Sequence, residues 1–466
     1  MISNTHAISS WVWLAIAVQT GWLVWALMNF VRRNDEFPVV MAGFLAYCGS
    51  YRFLGAYLGF FEWGSFEYGL GVTIDFGSAG KALEMIVLGQ SVLLASYLAL
   101  QEKISLAPER QLPALVVTHM RYLLLLLAGV GLPVVIWSKY YTQSQILAGK
   151  SLAFEVSGYV QQLPMLLVAL ALFLFLAWRF GALLNFIEKG AAVLLLLVIG
   201  YLTFGTSGRF IFLGWIIGGS YIISTRWFGL KRIPILLVGG LIALSLFGLA
   251  GAMRDTRETD LTVSSFERTK RGEDANMLDG MVLLMNVYPK LLPYEYGMGH
   301  FEILERPIPR AWWPGKPIGG YMNKLGFFDA GSGGTIGISP TLFGSFYQEG
   351  NWVAIILFSV IYGWALARLV RFSSEIRPVF GVLLRAGLIA GLIPLLRGGD
   401  LPGIYAWLGM AFWPLGLFLW WNREYLRPIT GKSPGRHGNR NRGVGAGVGA
   451  ADRRSGHEIS QPDKVR

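Results

Sequence analysis

The chain has a single cysteine, Cys48, which lies inside an apolar run. One thiol excludes a disulfide framework and any metal site built from several cysteines. The five histidines are scattered and lack the paired spacing of metal ligands. The glycine-rich stretch 331–352 has no lysine at the spacing of a phosphate-binding loop. We therefore predict a protein that uses no metal and no cofactor.

Charge is also scarce. Only 15% of the 466 residues are charged and 54% are hydrophobic, against roughly 25% charged in a soluble domain. The mean hydropathy is +0.49, which indicates a polytopic membrane protein. The net charge is +12, and residues 422–466 contribute ten Lys/Arg against four Asp/Glu. No folded basic module accompanies this charge, so it indicates cytoplasmic segments of a membrane protein and not nucleic-acid binding.

Segments of about 20 apolar residues can cross the hydrocarbon core of a bilayer, and they must do so as helices to satisfy their backbone. The predicted fold is therefore all-α, with about eleven transmembrane helices. They fall at 10–31, 39–61, 83–101, 116–137, 158–178, 190–207, 209–225, 233–252, 351–370, 379–396 and 403–421. The first is predicted to be retained, because no basic residue precedes it and no cleavage site follows it.

Every second loop between these segments is basic, and short basic loops face the cytoplasm. This pattern predicts an external N-terminus and a cytoplasmic C-terminus. It divides the chain into an N-terminal bundle (1–252), a large external loop (253–350), three last spans (351–421) and a disordered basic tail (422–466). Within the loop, residues 278–292 predict a short amphipathic helix lying at the interface.

Basic residues on the external side run against the charge bias of membrane proteins, so they are candidates for a binding site. We expect them at one depth, the outer interface. Guanidinium groups bind phosphate oxygens through two hydrogen bonds. A ring of these groups at the outer interface would suit a lipid diphosphate. Glycines beside Arg209 and Arg397 would let a ligand approach the backbone closely. The candidates are Arg209, Arg254, Arg257, Arg306, Arg310, Lys316 and Arg397.

Two arginines lie within predicted spans. Arg52 falls in the outer half of the second span, where a charge is costly unless it is paired or hydrated. It is either a substrate-binding residue or the partner of a carboxylate on a neighbouring helix. Arg385 lies near the cytoplasmic end of its span, where snorkelling to the headgroups would explain it.

The segment Gly297–Pro317, GMGHFEILERPIPRAWWPGKP, combines cations with prolines and two tryptophans. Its prolines exclude a regular helix through the cationic part, and its tryptophans suit a membrane interface or a sugar face. His300, Glu302 and Glu305 are candidate proton acceptors or hydrogen-bonded structural partners. Tyr347 and Glu349, at the outer mouth of the ninth span, are candidates for binding sugar hydroxyls. Residues 331–352 around them are expected to form a flexible loop.

The chain resembles the O-antigen polysaccharide polymerases of the Wzy type in three successive motifs. They are a turn GTSGR, the segment RPIPRAWWPGKP and a Gly-rich SPTLFGSFYQEG that enters a helix. The resemblance implies a metal-independent glycosyltransferase of the GT-C type with undecaprenyl-diphosphate-linked oligosaccharides as substrates. A chain-length regulator and a flippase would be its partners, beside membrane lipids. Arg209, Arg306, Arg310 and Lys316 would then be catalytic. One departure is Ser345, which stands where such proteins often place a glutamate.

Three alternatives stay open from the sequence. An O-antigen ligase would rely on a histidine in the large loop, and His300 is the only histidine there. A transporter of lipid-linked glycans would need charges spread through several helix interiors. A structural membrane anchor for the basic tail would leave the external arginines unexplained.

Overall fold

The described elements are helices throughout. The computed structural model describes residues 8–61, 63, 71–101, 112–150, 158–183, 185–204, 209–227, 229–252, 276–305, 308, 312–316, 319–326 and 339–426. Its helices are α1 Ser10–Arg33, α2 Phe37–Tyr57, α3 Phe76–Ala99, α4 Ala114–Leu147, α5 Gly158–Arg179, α6 Phe186–Thr203, α7 Arg209–Ser224, α8 Ile233–Ala252, α9 Met277–Val287, α10 Met298–Glu305, α11 Thr341–Glu375, α12 Pro378–Arg397 and α13 Leu401–Trp421.

Nine of these helices are long and apolar enough to cross a membrane within the described ranges: α1 to α6 and α11 to α13. They match nine of the eleven predicted spans. The remaining two predicted spans fall on α7 and α8, which are α-helices as well. The protein is thus an all-α, multi-pass membrane protein, as the distribution of apolar residues predicted. The tail beyond residue 426 lies outside the described residues.

Local sequence signals set several helix boundaries. The side chain of Ser9 accepts a hydrogen bond from the Trp11 amide at the start of α1. Asp75 and Ser78 form a reciprocal capping box at the start of α3, and Asn185 caps α6 by accepting from the Glu188 amide. Each cap satisfies amide groups that the first helical turn leaves without a partner.

The centre of the bundle is the close pairing of α3 with α11. At Gly363 of α11, an added Cβ would lie 2.5 Å from the Leu93 carbonyl oxygen. At Gly89 of α3, it would lie 2.2 Å from the ring of Phe343. Small residues let membrane helices approach closely, which increases dispersion contacts where apolar burial gives little driving force. The last spans therefore pack directly on the first ones, although some 250 residues separate them along the chain.

Helix ends that were predicted to share one side of the membrane meet in the structure. At the end that carries the basic loops, here called the basic end, the Tyr97 hydroxyl donates to Asp35 over 2.7 Å. Arg385 donates to Glu36 over 2.6 Å, and Arg232 donates to Asn34 over 2.7 Å. The opposite end, where residues 276–326 lie, is called the loop end.

Arg385 differs from expectation. Its side chain is fully buried and joins α12 to the carboxylates of Asp35 and Glu36, so it does not snorkel to headgroups. The nearest carboxylates follow α1 in the chain and lie nearly 350 residues away. Arg232 adds a second buried cation 3.7 Å from Glu36. Two acids and two bases thus balance within one buried network.

Two segments of the large loop also differ from expectation. The predicted amphipathic helix exists as α9, but nine of its residues are buried between α3 and α11, so it does not lie at a surface. Residues 341–349, expected as a flexible loop, form a buried helical start of α11. A break at Gly350–Asn351 separates this start from the long remainder of the helix. The helical start therefore enters the bundle at the loop end and supplies side chains to its interior.

Candidate functional site

The predicted site residues that the structure describes lie at the loop end. They are Arg52, His300, Glu302, Lys316, Tyr347, Glu349 and Arg397. Arg209 is the first residue of α7, and its helical backbone alone is described. Arg254, Arg257, Arg306 and Arg310 lie outside the described residues. The proposed ring of cations therefore stays a prediction, and the described contacts belong mainly to acidic and aromatic residues.

Glu349 is the centre of these contacts. Its side chain is completely buried at the end of the helical start of α11. One carboxylate oxygen, Oε2, accepts a hydrogen bond from the Gly297 amide over 2.6 Å. The chain just before α10 is also held there, because the Glu295 and Tyr296 amides donate to the carbonyl oxygens of Gln348 and Glu349 over 2.9 Å. Glu349 is therefore positioned by backbone on both sides.

The other oxygen of Glu349 faces His300. Oε1 lies 3.5 Å from His300 Nδ1. Within the described residues, neither Oε1 nor either ring nitrogen of His300 has a hydrogen-bond partner, although all three atoms are buried. Buried polar atoms are seldom left without partners, and an exception calls for an explanation. Here the exception places a carboxylate and an imidazole side by side.

Gly299 makes this arrangement possible. A Cβ at this position would lie 2.2 Å from Glu349 Oε1 and 3.0 Å from Glu295 Oε2. Both distances are below any normal contact, so a larger residue would push the carboxylates apart. The two carboxylates thus converge on the backbone of α10 at the one position without a side chain, one residue before His300.

Lys324 balances the acidic charge. Its ammonium group donates to Glu295 over 2.6 Å and to Glu302 over 3.3 Å. Burial opposes the charge of Lys324, but the two carboxylates outweigh it and raise the lysine pKa above its ordinary value of 10.5. Burial raises the pKa of Glu302, and the Lys324 charge offsets this in part. Burial and the Glu295 carboxylate also raise the pKa of Tyr288, which donates to Glu295 over 2.8 Å.

Aromatic rings surround His300. Its ring stacks on Phe358 of α11, with centroids 4.2 Å apart and planes at 11°. Tyr362 and Tyr405 lie about 6 Å away, and their hydroxyls contact each other. The imidazole is thereby fixed in orientation by flat neighbours and by Glu349. A fixed base is the arrangement that proton transfer in catalysis requires.

The cationic segment lies beside this cluster along the chain. Lys316 donates to the carbonyl oxygen of Ile308 over 2.9 Å. Trp312 is 81% exposed. An exposed tryptophan agrees with the predicted interfacial anchor.

Arg52 is held in a buried pair. Its guanidinium donates to both oxygens of Asp279, over 3.1 and 2.6 Å, and lies 3.7 Å from the Phe61 ring centroid. The second of the two alternatives from the sequence, a carboxylate partner on another helix, is what the structure shows at this residue. Its assignment to substrate binding stays a prediction.

Tyr347 and Arg397 border the same helical start of α11. Tyr347 is buried and packs against Tyr294, with ring centroids 6.1 Å apart. Arg397 ends α12 and is half-buried. The space beside the following glycine is taken by protein, because a Cβ on Gly398 would lie 1.9 Å from the Thr341 carbonyl oxygen. At Gly398 the expected approach of a ligand to the backbone is therefore wrong, because the start of α11 occupies this space; for Gly399 and for the glycines beside Arg209, which lie outside the described residues, it stays a prediction.

Sequence reasoning missed Asp279, Glu295 and Lys324. A signal was present for Asp279, because a lone carboxylate in the run MLDGMVLLM requires a partner when buried. The contacts of Glu295 come from Tyr288 just after α9, from Gln348 of α11 and from Lys324 of the short helix Tyr321–Lys324. No residue spacing in the sequence predicts these contacts of Glu295.

Comparison of the chain with protein-family models, with curated proteins and with solved structures finds no match. The class that the structure itself defines is an all-α, multi-pass membrane protein. Its distinguishing feature at the loop end is a buried acid–histidine contact beside a lysine-bridged pair of glutamates.

Proposed function

We propose that the chain is a membrane glycosyltransferase that polymerises undecaprenyl-diphosphate-linked oligosaccharide repeat units at the outer face of a bacterial cytoplasmic membrane. The observation that carries this proposal is the contact between His300 and the buried Glu349 at the loop end. It supports a base for a sugar hydroxyl next to the segment in which the sequence concentrates cations. The resemblance of that segment to O-antigen polymerases supplies the substrate class.

In this proposal His300 accepts the proton of the acceptor hydroxyl while the hydroxyl oxygen bonds to the anomeric carbon of the donor. Glu349 stabilises the imidazolium that forms, since its Oε1 lies 3.5 Å from Nδ1. The bond between the anomeric carbon and the diphosphate oxygen breaks, and its electron pair leaves with the diphosphate. Because the ring nitrogens are covered in the structure, the acceptor must separate α10 from α11 to reach them.

The negative charge of the leaving diphosphate grows in the transition state, so cations held nearby favour that state over the ground state. Lys316 is the described cation of this segment. Arg306 and Arg310 precede it in the sequence and are assigned the same role. The leaving group supplies the driving force, so the reaction needs no nucleotide.

The His300–Glu349 contact also favours a second candidate, an O-antigen ligase that transfers the lipid-linked glycan to lipid A core. A transporter is less well supported. A transporter would need charges spread through several helix interiors, whereas the described buried charges at the basic end, Asp35, Glu36, Arg232 and Arg385, pair with one another in a single cluster.

The proposal predicts that His300→Asn and Glu349→Gln each lower polymer formation by about 10²- to 10⁴-fold, the usual contribution of a positioned base. The measurement is the amount and length of surface polymer in cells of the deletion strain that carry each variant, at matched membrane protein levels. Glu375→Gln is the control, because it makes the same chemical change at a half-exposed carboxylate of α11 at the basic end. Wild-type polymer from both site variants would refute the role of this pair.

A further inference from the structure

The outer face of α10 is apolar and is exposed within the part of the chain that the structure describes. Met298, Phe301 and Leu304 recur at every third position and are 55%, 63% and 72% exposed. At 100° per residue these three positions cover an arc of about 120°. A continuous apolar stripe of this kind on a short helix is the pattern of a segment that lies in a membrane interface.

The opposite face of the same helix is the one that carries the site. Gly299 is buried against the two carboxylates, and His300 stacks on Phe358. Glu302 turns toward Lys324. The helix therefore has two different faces. The face with the candidate reactive groups packs against the protein, and the face with the apolar side chains points away from the protein.

The stripe continues a surface that already faces lipid. Phe358, on which His300 stacks, belongs to a turn of α11 whose outward side chains Leu357 and Ile361 are 55% and 45% exposed. α11 is one of the membrane-crossing helices, so these side chains face hydrocarbon. Beyond the end of α10, Ile308 and Trp312 extend the exposed apolar surface toward the interface.

We infer that the stripe Met298–Phe301–Leu304 is a docking surface for the lipid of the outer leaflet, so that α10 lies partly immersed in the bilayer surface. This assigns to α10 the interfacial position that the sequence pattern had assigned to α9. Together with the proposed function, it would bring the reactive face to the depth at which a lipid-linked sugar lies. The docking surface itself does not depend on that function.

The test is fluorescence quenching in phosphatidylcholine nanodiscs. Cys48 is the sole cysteine and is buried, so Cys48→Ala gives a background for single cysteines labelled with an environment-sensitive nitrobenzoxadiazole dye. The test positions are Met298→Cys, Phe301→Cys and Leu304→Cys. Leu357→Cys is the lipid-facing control and Glu375→Cys, at the half-exposed end of α11, is the aqueous control. Quenching is measured with nitroxide-labelled lipid and with iodide in the water.

The inference predicts nitroxide quenching at all three test positions within about twofold of that at Leu357, and weak iodide quenching. Strong iodide quenching at these positions, as at Glu375, would overturn it. Protection from both quenchers would overturn it as well, because it would show that another protein covers the stripe. Each labelled variant is first checked for a monodisperse elution and an unchanged helical circular dichroism spectrum.

Discussion

The Arg52–Asp279 pair gives the clearest energetic prediction. Both side chains are buried, at 1% and 0% exposure, and two hydrogen bonds join them between α2 and α9. Arg52→Met keeps most of the volume of the side chain but removes the charge. It leaves the carboxylate of Asp279 in the interior without its guanidinium partner.

The expected loss follows from this geometry. Removing one partner of a buried ion pair costs about 3–5 kcal/mol, mostly because a desolvated charge stays behind. Replacing both partners by apolar residues is often close to neutral. The double variant Arg52→Met/Asp279→Leu should therefore recover most of the loss. Arg371→Met provides the control, because its pair with Glu375 is 41% and 50% exposed and should change stability by less than about 1 kcal/mol.

The assay is the free energy of unfolding of the purified protein in mixed micelles, measured by titration with sodium dodecyl sulfate. Polymer formation is measured on the same variants in cells. A loss of stability in Arg52→Met that the double variant restores, together with restored activity, would show a structural pair. Unchanged stability in Arg52→Met with lost activity would refute this reasoning and favour the substrate-binding role predicted from the sequence.

Two further predictions concern a close contact and a titration. Gly398→Ala should destabilise the protein by several kcal/mol or displace α11, because φ at Gly398 is +71° and the added Cβ would lie 1.9 Å from the Thr341 carbonyl oxygen. Gly409→Ala is the control, because an added Cβ there would meet open space. It should be neutral or slightly stabilising in the same unfolding assay. Lys324→Gln removes a group whose folded-state pKa is raised, so the stability advantage of the wild type should be complete below pH 10.5 and disappear as the pH rises through the raised value. A stability advantage of the wild type over Lys324→Gln that grows above pH 10.5 would contradict the contacts of Lys324. Equal stability of Gly398→Ala and Gly409→Ala would contradict the close contact at Gly398.

The helices were predictable from the sequence because crossing a bilayer is a local requirement. A span needs about 20 apolar residues wherever it falls in the chain, and the basic loops show which ends share a side. The environment of each helix, lipid or protein, was not predictable in the same way. α9 has an apolar surface that suits either lipid or protein, and its buried Asp279 pairs with Arg52, which lies 227 residues away.

The candidate site was predictable in location but only partly in composition. His300 and Glu302 were selected as candidate proton acceptors and Glu349 as a candidate for binding sugar hydroxyls, and all three lie in one cluster. The sequence placed Tyr347 and Glu349 in a flexible loop, because glycines and Pro340 precede them. Packing against α3 and α9 instead orders residues 341–349 as helix, since a buried segment must satisfy its backbone groups internally. The helical conformation of residues 341–349 therefore depends on tertiary packing, which no local sequence pattern reveals.

The central claim, polymerisation of lipid-linked repeat units, is tested most directly by the lipid-linked glycans that accumulate when the gene is deleted. Mass spectrometry of the extracted polyprenyl diphosphate lipids gives the number of repeat units on each carrier. Single repeat units on the carrier, cleared when the wild-type chain is restored but not with His300→Asn, are the predicted result. Finished polymer still attached to its carrier would contradict polymerisation and would identify a ligase.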